Sequence, residues 1–330
     1  MSVGIKDVAR VANVSAATVS RVLSGRAVDP AMHDRVLEAV RTVGYRPNLA
    51  ARRLRSRHTN TIGLIVADIR NPFFTAVSRV VEDIAYERGM RVILCNTDED
   101  PAKEAMYLQL MQEERVTGII LAPTRQGLES AARTTSDFPM VLIDRTAKGI
   151  EHDSVVLDNE TMAAELVDHL HGCGFTRIAG LFGAASTTGI ERRLGFEQAA
   201  RRLGVQAEAI AVPHGPGAAA RSVAALLSRS VRPQALVASN GVMLMAVLRA
   251  VRALGLSVPH DIALTGFDRE DWMEFVSGGL SVIQQPVEEI GRTAMTMLFD
   301  RIAHPDAPVR KVVLAGRMVI GGSSGSESLP

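Results

Sequence analysis

The stretch IKDVARVANVSAATVSRVLSG, residues 5–25, decides how the N-terminal part of this chain folds. The apolar residues of its first half recur at helical spacing and would share one face: Ile5, Val8, Ala9 and Ala12. After a short break, Ser15 can cap a second helix from Ala16 to Leu23, because its hydroxyl accepts hydrogen bonds from the exposed first-turn amides. A helix, a tight turn and a second helix are therefore predicted.

A third helix follows in the same module. Gly25 would end the second helix, and Asp29-Pro30 would cap and start the third, since proline fits the first helical turn. Gly44 would close it. The residues expected to face inward are Val36, Ala39, Val40 and Val43. Three short helices of this arrangement form a helix-turn-helix domain, which we place at residues 1–46.

The charge of the chain is unevenly distributed. Residues 1–60 hold eleven Lys and Arg against four Asp and Glu, a net charge of +7, whereas the whole chain has +1, which leaves −6 for the rest. A basic head on a mildly acidic body indicates contact with nucleic acid through one end, although a solvated charged face would give the same balance. Residues 47–60, PNLAARRLRSRHTN, differ in character: Pro47 breaks the preceding helix, Asn48 can cap a short new one, and four arginines surround Leu54.

From residue 61 onward, short apolar runs alternate with helical stretches. The ten runs are residues 62–67, 92–95, 118–122, 140–143, 155–157, 178–182, 210–212, 235–238, 262–267 and 281–283. Buried strands that alternate with helices are typical of doubly wound parallel sheets, and ten strands exceed one ordinary sheet. We therefore predict an α/β core over 61–330 with two lobes, 61–158 and 159–285, and a chain that crosses back after 285.

Composition and missing motifs exclude several classes of protein. The hydrophobic fraction of 47% is sufficient for a large core. Cys95 and Cys173 lack a CxxC partner, so neither a disulfide framework nor a metal site is expected. No signal peptide and no apolar run of roughly 20 residues is visible, which predicts a cytoplasmic protein without a membrane segment. The usual hydrolase, nucleotide-binding and zinc-protease motifs are missing, so neither an enzyme nor a cofactor is predicted.

The head and core segments resemble the lactose/galactose repressor family of transcriptional regulators over nearly the whole chain. The matching segments are residues 5–25, 28–55, 59–74, 191–196, 235–240, 255–268 and 284–294. The resemblance implies a helix-turn-helix head, a two-lobed core like that of periplasmic binding proteins, and a homodimer. Its partners would be double-stranded operator DNA and a small sugar-like effector.

In such a head, the second helix lies in the major groove. The predicted DNA contacts of this helix are Ser15, Ala16, Ala17, Thr18, Ser20 and Arg21. Arg21 could donate two hydrogen bonds to a guanine, and alanine methyl groups could touch thymine. Ser15 and Thr18 are better placed for phosphates. The alternative for Arg21 is a surface salt bridge.

The resemblance also implies that residues 47–60 form a hinge and that its helix enters the minor groove. Its predicted contacts are Ala51, Arg52 and Leu54. Leu54 matches the residue that wedges into a base step and kinks the duplex, and Ala51 permits close helix packing. Taken without the resemblance, a leucine among arginines is more often a small core contact.

The effector contacts are also implied by the resemblance: they are polar and aromatic residues that match effector-contacting positions of some family members. They lie near strand ends, where two-lobed α/β domains bind ligands. They are Phe73, Phe74, Asp144, Arg192, His214, Asn240, Asp268, Trp272 and Gln285. A structural role remains the alternative for Phe73, Asp144 and Gln285. Asp, Asn, Gln and Arg side chains suit a polyhydroxy ligand.

Two departures from the family pattern bear on the effector. Gly241 stands where many relatives carry an acid, and His214 takes the place of an aromatic stacking residue that Trp272 could replace. The SNG and GFDxxxW segments are similar to repressors of sugar-acid catabolism, in which Arg192 or His214 could meet a carboxylate. The effector is thus predicted to be a sugar or a sugar acid.

The overall interpretation is a repressor of carbohydrate or sugar-acid catabolic genes. The C-terminal residues lack leucine heptads, which favours a dimer over a tetramer. A sugar-binding transport protein would share the two lobes but would have a signal peptide and no basic head. A sugar-processing enzyme with an accessory DNA-binding domain is the second alternative, and activation or corepression remains open within the regulator class.

Overall fold

The computed structural model describes residues 4–23, 27–45, 59–131, 138–215 and 217–325. The chain forms two compact units, of which the first extends to Thr59 and the second begins at Asn60. Most of the predicted hinge, including Ala51, Arg52 and Leu54, lies outside the described residues.

The first unit contains three helices: α1 (Ile5–Ala12), α2 (Ala16–Leu23) and α3 (Pro30–Val43). One face of each helix contributes to a small shared core, whose buried members are Val8, Ala9, Ala12, Val19, Val22, Val36 and Ala39. Ile5, Val40 and Val43, which were also predicted to face inward, are half-buried at the edge of this core. The three-helix head is therefore confirmed.

Local capping explains where these helices begin and end. The Ser15 hydroxyl accepts a hydrogen bond from the Thr18 amide at 3.1 Å. The Asp29 carboxylate accepts one from the Met32 amide, also at 3.1 Å. Gly44 ends α3 with φ at 64°, a left-handed conformation that suits glycine. Gly25 lies outside the described residues.

The second unit alternates strands and helices. Its first part contains β1 (Thr61–Val66), α4 (Pro72–Glu87), β2 (Arg91–Asn96), α5 (Pro101–Glu113), β3 (Gly118–Leu121), α6 (Arg125–Ala131), β4 (Met140–Ile143) and β5 (Asp153–Leu157). Its second part contains α7 (Asn159–Gly172), β6 (Arg177–Gly183), α8 (Thr187–Leu203), β7 (Gln206–Val212), α9 (Ala218–Leu227), β8 (Ala235–Ala238), α10 (Gly241–Ala253), β9 (Ala263–Phe267), a 3-10 helix (Asp271–Phe275) and β10 (Ser281–Gln284). Its last part contains α11 (Val287–Ala303), β11 (Lys311–Leu314), β12 (Arg317–Val319) and a 3-10 turn (Gly322–Ser324).

Two six-stranded sheets organise these elements into two lobes. The strand order in lobe 1 is β11-β5-β4-β3-β1-β2, and in lobe 2 it is β12-β10-β9-β8-β6-β7. Neighbouring strands are parallel except β10 and β12, which pair antiparallel. The central strands are buried on both faces by apolar clusters. This architecture confirms the predicted α/β class with doubly wound parallel sheets.

The chain crosses between the lobes three times. It enters lobe 2 after Leu157, returns to lobe 1 after Gln284 to form α11 and β11, and enters lobe 2 again after Leu314 to form β12. All ten apolar runs form strands of the two sheets. The edge strands β11 and β12, and with them the third crossing, were not predicted.

Candidate functional site

A cavity of about 630 Å³ lies between the two lobes of the second unit. This volume falls in the range of about 300–1,000 Å³ typical of small-molecule sites. All nine predicted effector contacts line it: Phe73, Phe74, Asp144, Arg192, His214, Asn240, Asp268, Trp272 and Gln285. Residues from widely separated parts of the chain therefore meet at the carboxyl ends of the strands, as expected for open α/β sheets.

Two carboxylates occupy corresponding positions in the two lobes. Asp144 follows β4 and Asp268 follows β9, and both have left-handed backbones, with φ of 66° and 72°. Their amides donate to the carbonyls of Val155 and Ile283 on the neighbouring strands, at 3.1 and 3.0 Å. A non-glycine residue in this conformation is uncommon and clusters at functional sites, because the surrounding structure must impose it.

The lobe 1 wall contains a buried ion cluster. The Arg145 guanidinium donates to Asp144 Oδ2 at 3.0 Å and to both oxygens of Glu99, at 2.8 and 2.5 Å. Burial raises the pKa of Asp144, although the charge of Arg145 opposes this shift. Arg145 and Glu99 both line the cavity and were missed by the sequence analysis. The one available signal was the position of Arg145 directly after Asp144.

The lobe 2 wall contains a second buried arginine. Arg192 is only 4% exposed, donates through Nε to Asn159 Oδ1 at 2.8 Å, and donates through Nη1 to the Ser239 carbonyl. Its guanidinium carbon lies 3.9 Å from the centroid of the Phe267 ring. Burial lowers the pKa of Arg192, although Asp268 and other carboxylates oppose the shift. Its Nη2 has no hydrogen-bond partner within the described part of the chain.

Asp268, Asn240 and Gln285 also make hydrogen bonds within lobe 2. Asp268 accepts from the Gly241 amide at 2.8 Å and from Gln285 Nε2 at 2.6 Å. Asn240 Oδ1 caps α10 by accepting from the Met243 amide at 2.8 Å. These bonds shape the cavity wall, so Asn240 and Gln285 have structural roles besides any contact with a ligand.

The aromatic residues contribute unequally to the cavity. Phe73 and Phe74 pack edge to face, with ring centroids 5.0 Å apart, and are buried in the lobe 1 core. They thus serve as core residues as well as a wall. Trp272 is half-buried on the 3-10 helix after β9, and His214 is exposed.

In the first unit, the predicted recognition residues lie at the start and along one side of α2. Ser15, Ala16, Ala17 and Arg21 are exposed, and Thr18 and Ser20 are half-buried. The Ser15 hydroxyl also lies 2.9 Å from the Thr18 hydroxyl. If Ser15 contacts a DNA phosphate, its hydroxyl would therefore do so while it also caps α2.

Two further searches covered only the described part of the chain. None of its helices is long and apolar enough to cross a membrane. Within the same residues, no group of three or more His, Cys, Asp and Glu side chains could hold a metal ion.

Comparison with known proteins agrees with this architecture. Residues 4–48 match the family model described as bacterial regulatory proteins, lacI family. Residues 167–324 match the periplasmic binding protein-like domain. The HTH-type transcriptional regulator PtxS of Pseudomonas plecoglossicida is 35% identical over 98% of this chain and 96% of its own length.

Solved structures show the same fold. The lac repressor dimer bound to operator and the anti-inducer ONPF matches with a TM-score of 0.86 and 22% identity, covering 98% of this chain and 99% of that one. A LacI transcriptional regulator from Alkaliphilus metalliredigens, complexed with D-xylulofuranose, matches with a TM-score of 0.71 and 25% identity over 80% of this chain and 99% of that one. These relatives are regulators rather than enzymes. The chain therefore belongs to the lacI family of bacterial regulatory proteins and is a DNA-binding, helix-turn-helix transcriptional regulator.

Proposed function

We propose that this regulator is a cytoplasmic repressor of carbohydrate or sugar-acid catabolic genes, controlled by a small polyhydroxy effector and requiring no cofactor. Residues 1–46 would bind DNA, 47–60 would form the hinge, and 61–330 would sense the effector. One observation carries the proposal. Arg192 in lobe 2 and Asp144 in lobe 1 line the same cavity, and neither Arg192 Nη2 nor Asp144 Oδ1 has a hydrogen-bond partner among the described residues.

A polyhydroxy compound suits this pair of walls. Each hydroxyl group both donates and accepts, so neighbouring hydroxyls can accept from Arg192 and donate to Asp144. Hydrogen bonds to charged groups contribute more than neutral ones, about 1.5–3 kcal/mol each. A ligand that bridges both lobes would favour their closed arrangement. The D-xylulofuranose in a solved relative supports a sugar-sized occupant.

A sugar acid is the preferred effector class. The carboxylate of such a ligand could accept from Arg192 in a charge-assisted bond. The ligand's remaining hydroxyls would then lie near Asp268 and Asn240, and Trp272 could pack against its carbon face. His214, which is exposed, would lie beside the bound acid.

Control of DNA binding requires a difference between lobe arrangements. An effector shifts the protein between two states only by as much as it binds one state better than the other. Two heads in a homodimer would read the half-sites of a palindromic operator, whose spacing follows from the symmetry of the dimer. A change in lobe orientation would alter the separation of the two hinges. The dimeric lac repressor, which has the same fold, supports this assembly.

A ligand screen tests the effector class. The purified chain is heated with neutral sugars and with aldonic, ketoaldonic and uronic acids, and the fluorescence of Trp272, the only tryptophan, reports binding at the cavity. We expect at least one sugar acid to raise the melting temperature and change this fluorescence. Stabilisation by neutral sugars alone would refute the sugar-acid assignment, and stabilisation by neither group would refute the proposed effector.

A DNA selection tests the repressor assignment. Genomic fragments captured by the purified protein are sequenced and searched for a shared palindrome. We expect the recovered duplex to outcompete its scrambled version, and Arg21→Ala to lose most of this preference. Lys6→Ala, on α1, is the matched control, because it removes one positive charge outside the recognition helix. Equal binding of palindrome and scramble, with and without sugars, would overturn the proposal.

A further inference from the structure

The three crossovers between the lobes lie side by side. The Asp158 amide in the first crossover donates to the Leu314 carbonyl at the start of the third, at 2.8 Å. Gln284 at the second crossover accepts from the Arg317 side chain at the third, at 2.9 Å. A Cβ atom on Gly316 would lie 2.7 Å from Ile283 Cγ2 and 3.1 Å from the Gln284 carbonyl oxygen, so the second and third crossovers pack closely there. A displacement at one crossover therefore affects its neighbours.

Asn159 is the first residue of lobe 2 after the first crossover. Its side chain is buried, with the residue 2% exposed. Oδ1 accepts from Arg192 Nε at 2.8 Å, and Nδ2 donates to Glu191 Oε2 at 2.7 Å. Asn159 does not line the cavity, whereas Arg192 does. The side-chain amide of Asn159 thus lies between Arg192, which lines the cavity, and the first crossover between the lobes.

The second charged group of lobe 2 is connected in the same way. Asp268 lines the cavity and accepts at 2.6 Å from Gln285, which lies in the second crossover. Ser239 accepts from Arg192, and Gly241 donates to Asp268, so the turn between β8 and α10 links the two charges. A series of hydrogen bonds, continued through the backbone from Ser239 to Gly241, therefore connects the first crossover with the second along the cavity wall.

We propose that Asn159 is a positioning residue that transmits effector occupancy from Arg192 to the first crossover. This inference rests on the proposed effector function of the cavity. When a ligand binds Arg192 Nη2, the guanidinium can shift only with its other partners. Nε and Nη1 are both bound to buried oxygens, and leaving such groups without partners is unfavourable. A shift of the Arg192 guanidinium therefore moves its partner Asn159 and the backbone of the first crossover, rather than breaking these hydrogen bonds.

Lobe closure can be measured directly in the full-length chain. Spin labels are attached at Ala105→Cys in α5 and Ala224→Cys in α9, both exposed positions, one on each lobe. Cys173→Ser removes the exposed native thiol, while Cys95 is buried. The probes are D-gluconate, D-glucuronate and D-glucose, and saturation is established from Trp272 fluorescence. Pulsed electron resonance then gives the distance between the lobes with and without the probe.

Three variants separate transmission from binding. Asn159→Ala should reduce the distance change at saturation to less than half of the change in the parent protein. Asn159→Asp combined with Glu191→Gln keeps an oxygen for Arg192 Nε and reverses donor and acceptor in the second hydrogen bond, so it should restore most of the distance change. Gln234→Ala is the matched control, since this amide bonds the backbone of Thr176 and Arg177 far from the crossovers, and it should close like the parent.

Each result decides the inference. Full closure of saturated Asn159→Ala overturns it, as does failure of the Asn159→Asp, Glu191→Gln double variant to restore closure or an equal loss in Gln234→Ala. Loss of all probe binding in a folded Asn159→Ala variant would show that the amide acts on affinity alone, and this also overturns it. If neither these probes nor any other sugar or sugar acid of the ligand screen binds the parent protein, the proposed effector class itself fails, and the inference fails with it.

Discussion

Replacing Arg192 by methionine should separate ligand affinity from fold stability. Methionine keeps much of the side-chain volume but removes the charge and its donors. The loss of one charge-assisted hydrogen bond to a ligand costs about 1.5–3 kcal/mol. At 1.4 kcal/mol for each factor of ten, a sugar-acid probe should bind about 10- to 150-fold more weakly.

Two contributions to the stability of Arg192→Met oppose each other. Burial lowers the pKa of Arg192, so the charged form is disfavoured in the fold at neutral pH, and methionine removes this cost. Against this, the Ser239 carbonyl and Asn159 Oδ1 lose a donor, at about 1–3 kcal/mol for each group left without a partner. Because the two contributions oppose each other, we expect Arg192→Met to be less destabilised in urea unfolding than the Arg301→Met control.

Arg301→Met is the matched control, because it should lower the stability of the fold and leave probe affinity unchanged. Arg301 forms a two-point ion pair with the fully buried Asp153, at 3.1 and 3.0 Å, and lies outside the cavity lining. Removing one partner of a buried pair destabilises by about 3–5 kcal/mol. Probe affinity should stay within about twofold of the parent, a difference well below 1.4 kcal/mol. Equal destabilisation by the two variants, or unchanged probe affinity in Arg192→Met, would refute the reasoning.

Three further outcomes are expected. Asp29→Ala removes the hydrogen bond to the Met32 amide and should destabilise the head by about 1 kcal/mol, measured by hydrogen exchange of α3 amides; unchanged exchange would contradict the capping role. Burial raises the pKa of Glu104, so ionisation weakens the fold as pH rises above the ordinary glutamate value of about 4.3. Glu104→Gln, which can still accept from the Thr124 amide, should therefore be more stable than the parent at pH 7, with an advantage that shrinks toward pH 4 in urea titrations and is contradicted if it grows. Leu54→Ala, a prediction from sequence alone, should weaken operator binding far more than binding to random DNA at fixed salt, and equal losses would rule out a wedge.

Some side chains at and around the cavity could be predicted from the sequence, and others could not. Arg192 and Asp268 could be identified because each belongs to a recognisable segment near a strand end. Asn159 and Glu99 could not, since neither residue type nor local spacing marks an amide or a carboxylate that will meet an arginine tens of residues away. Each pair is brought together only when the helices and strands of its own lobe pack.

The amino-acid sequence by itself determined the three-helix head and the ten principal strands, because helical periodicity, capping residues and buried apolar runs act over a few neighbouring residues. Tertiary structure alone decided the third crossover. The edge strand β11 is half-exposed and β12 is three residues long, so neither carries a buried run, and each forms by pairing with a distant strand. The same long-range pairing places Asn159 and Gln285 at the crossovers beside the cavity, since adjacency in a folded sheet does not depend on adjacency in the chain.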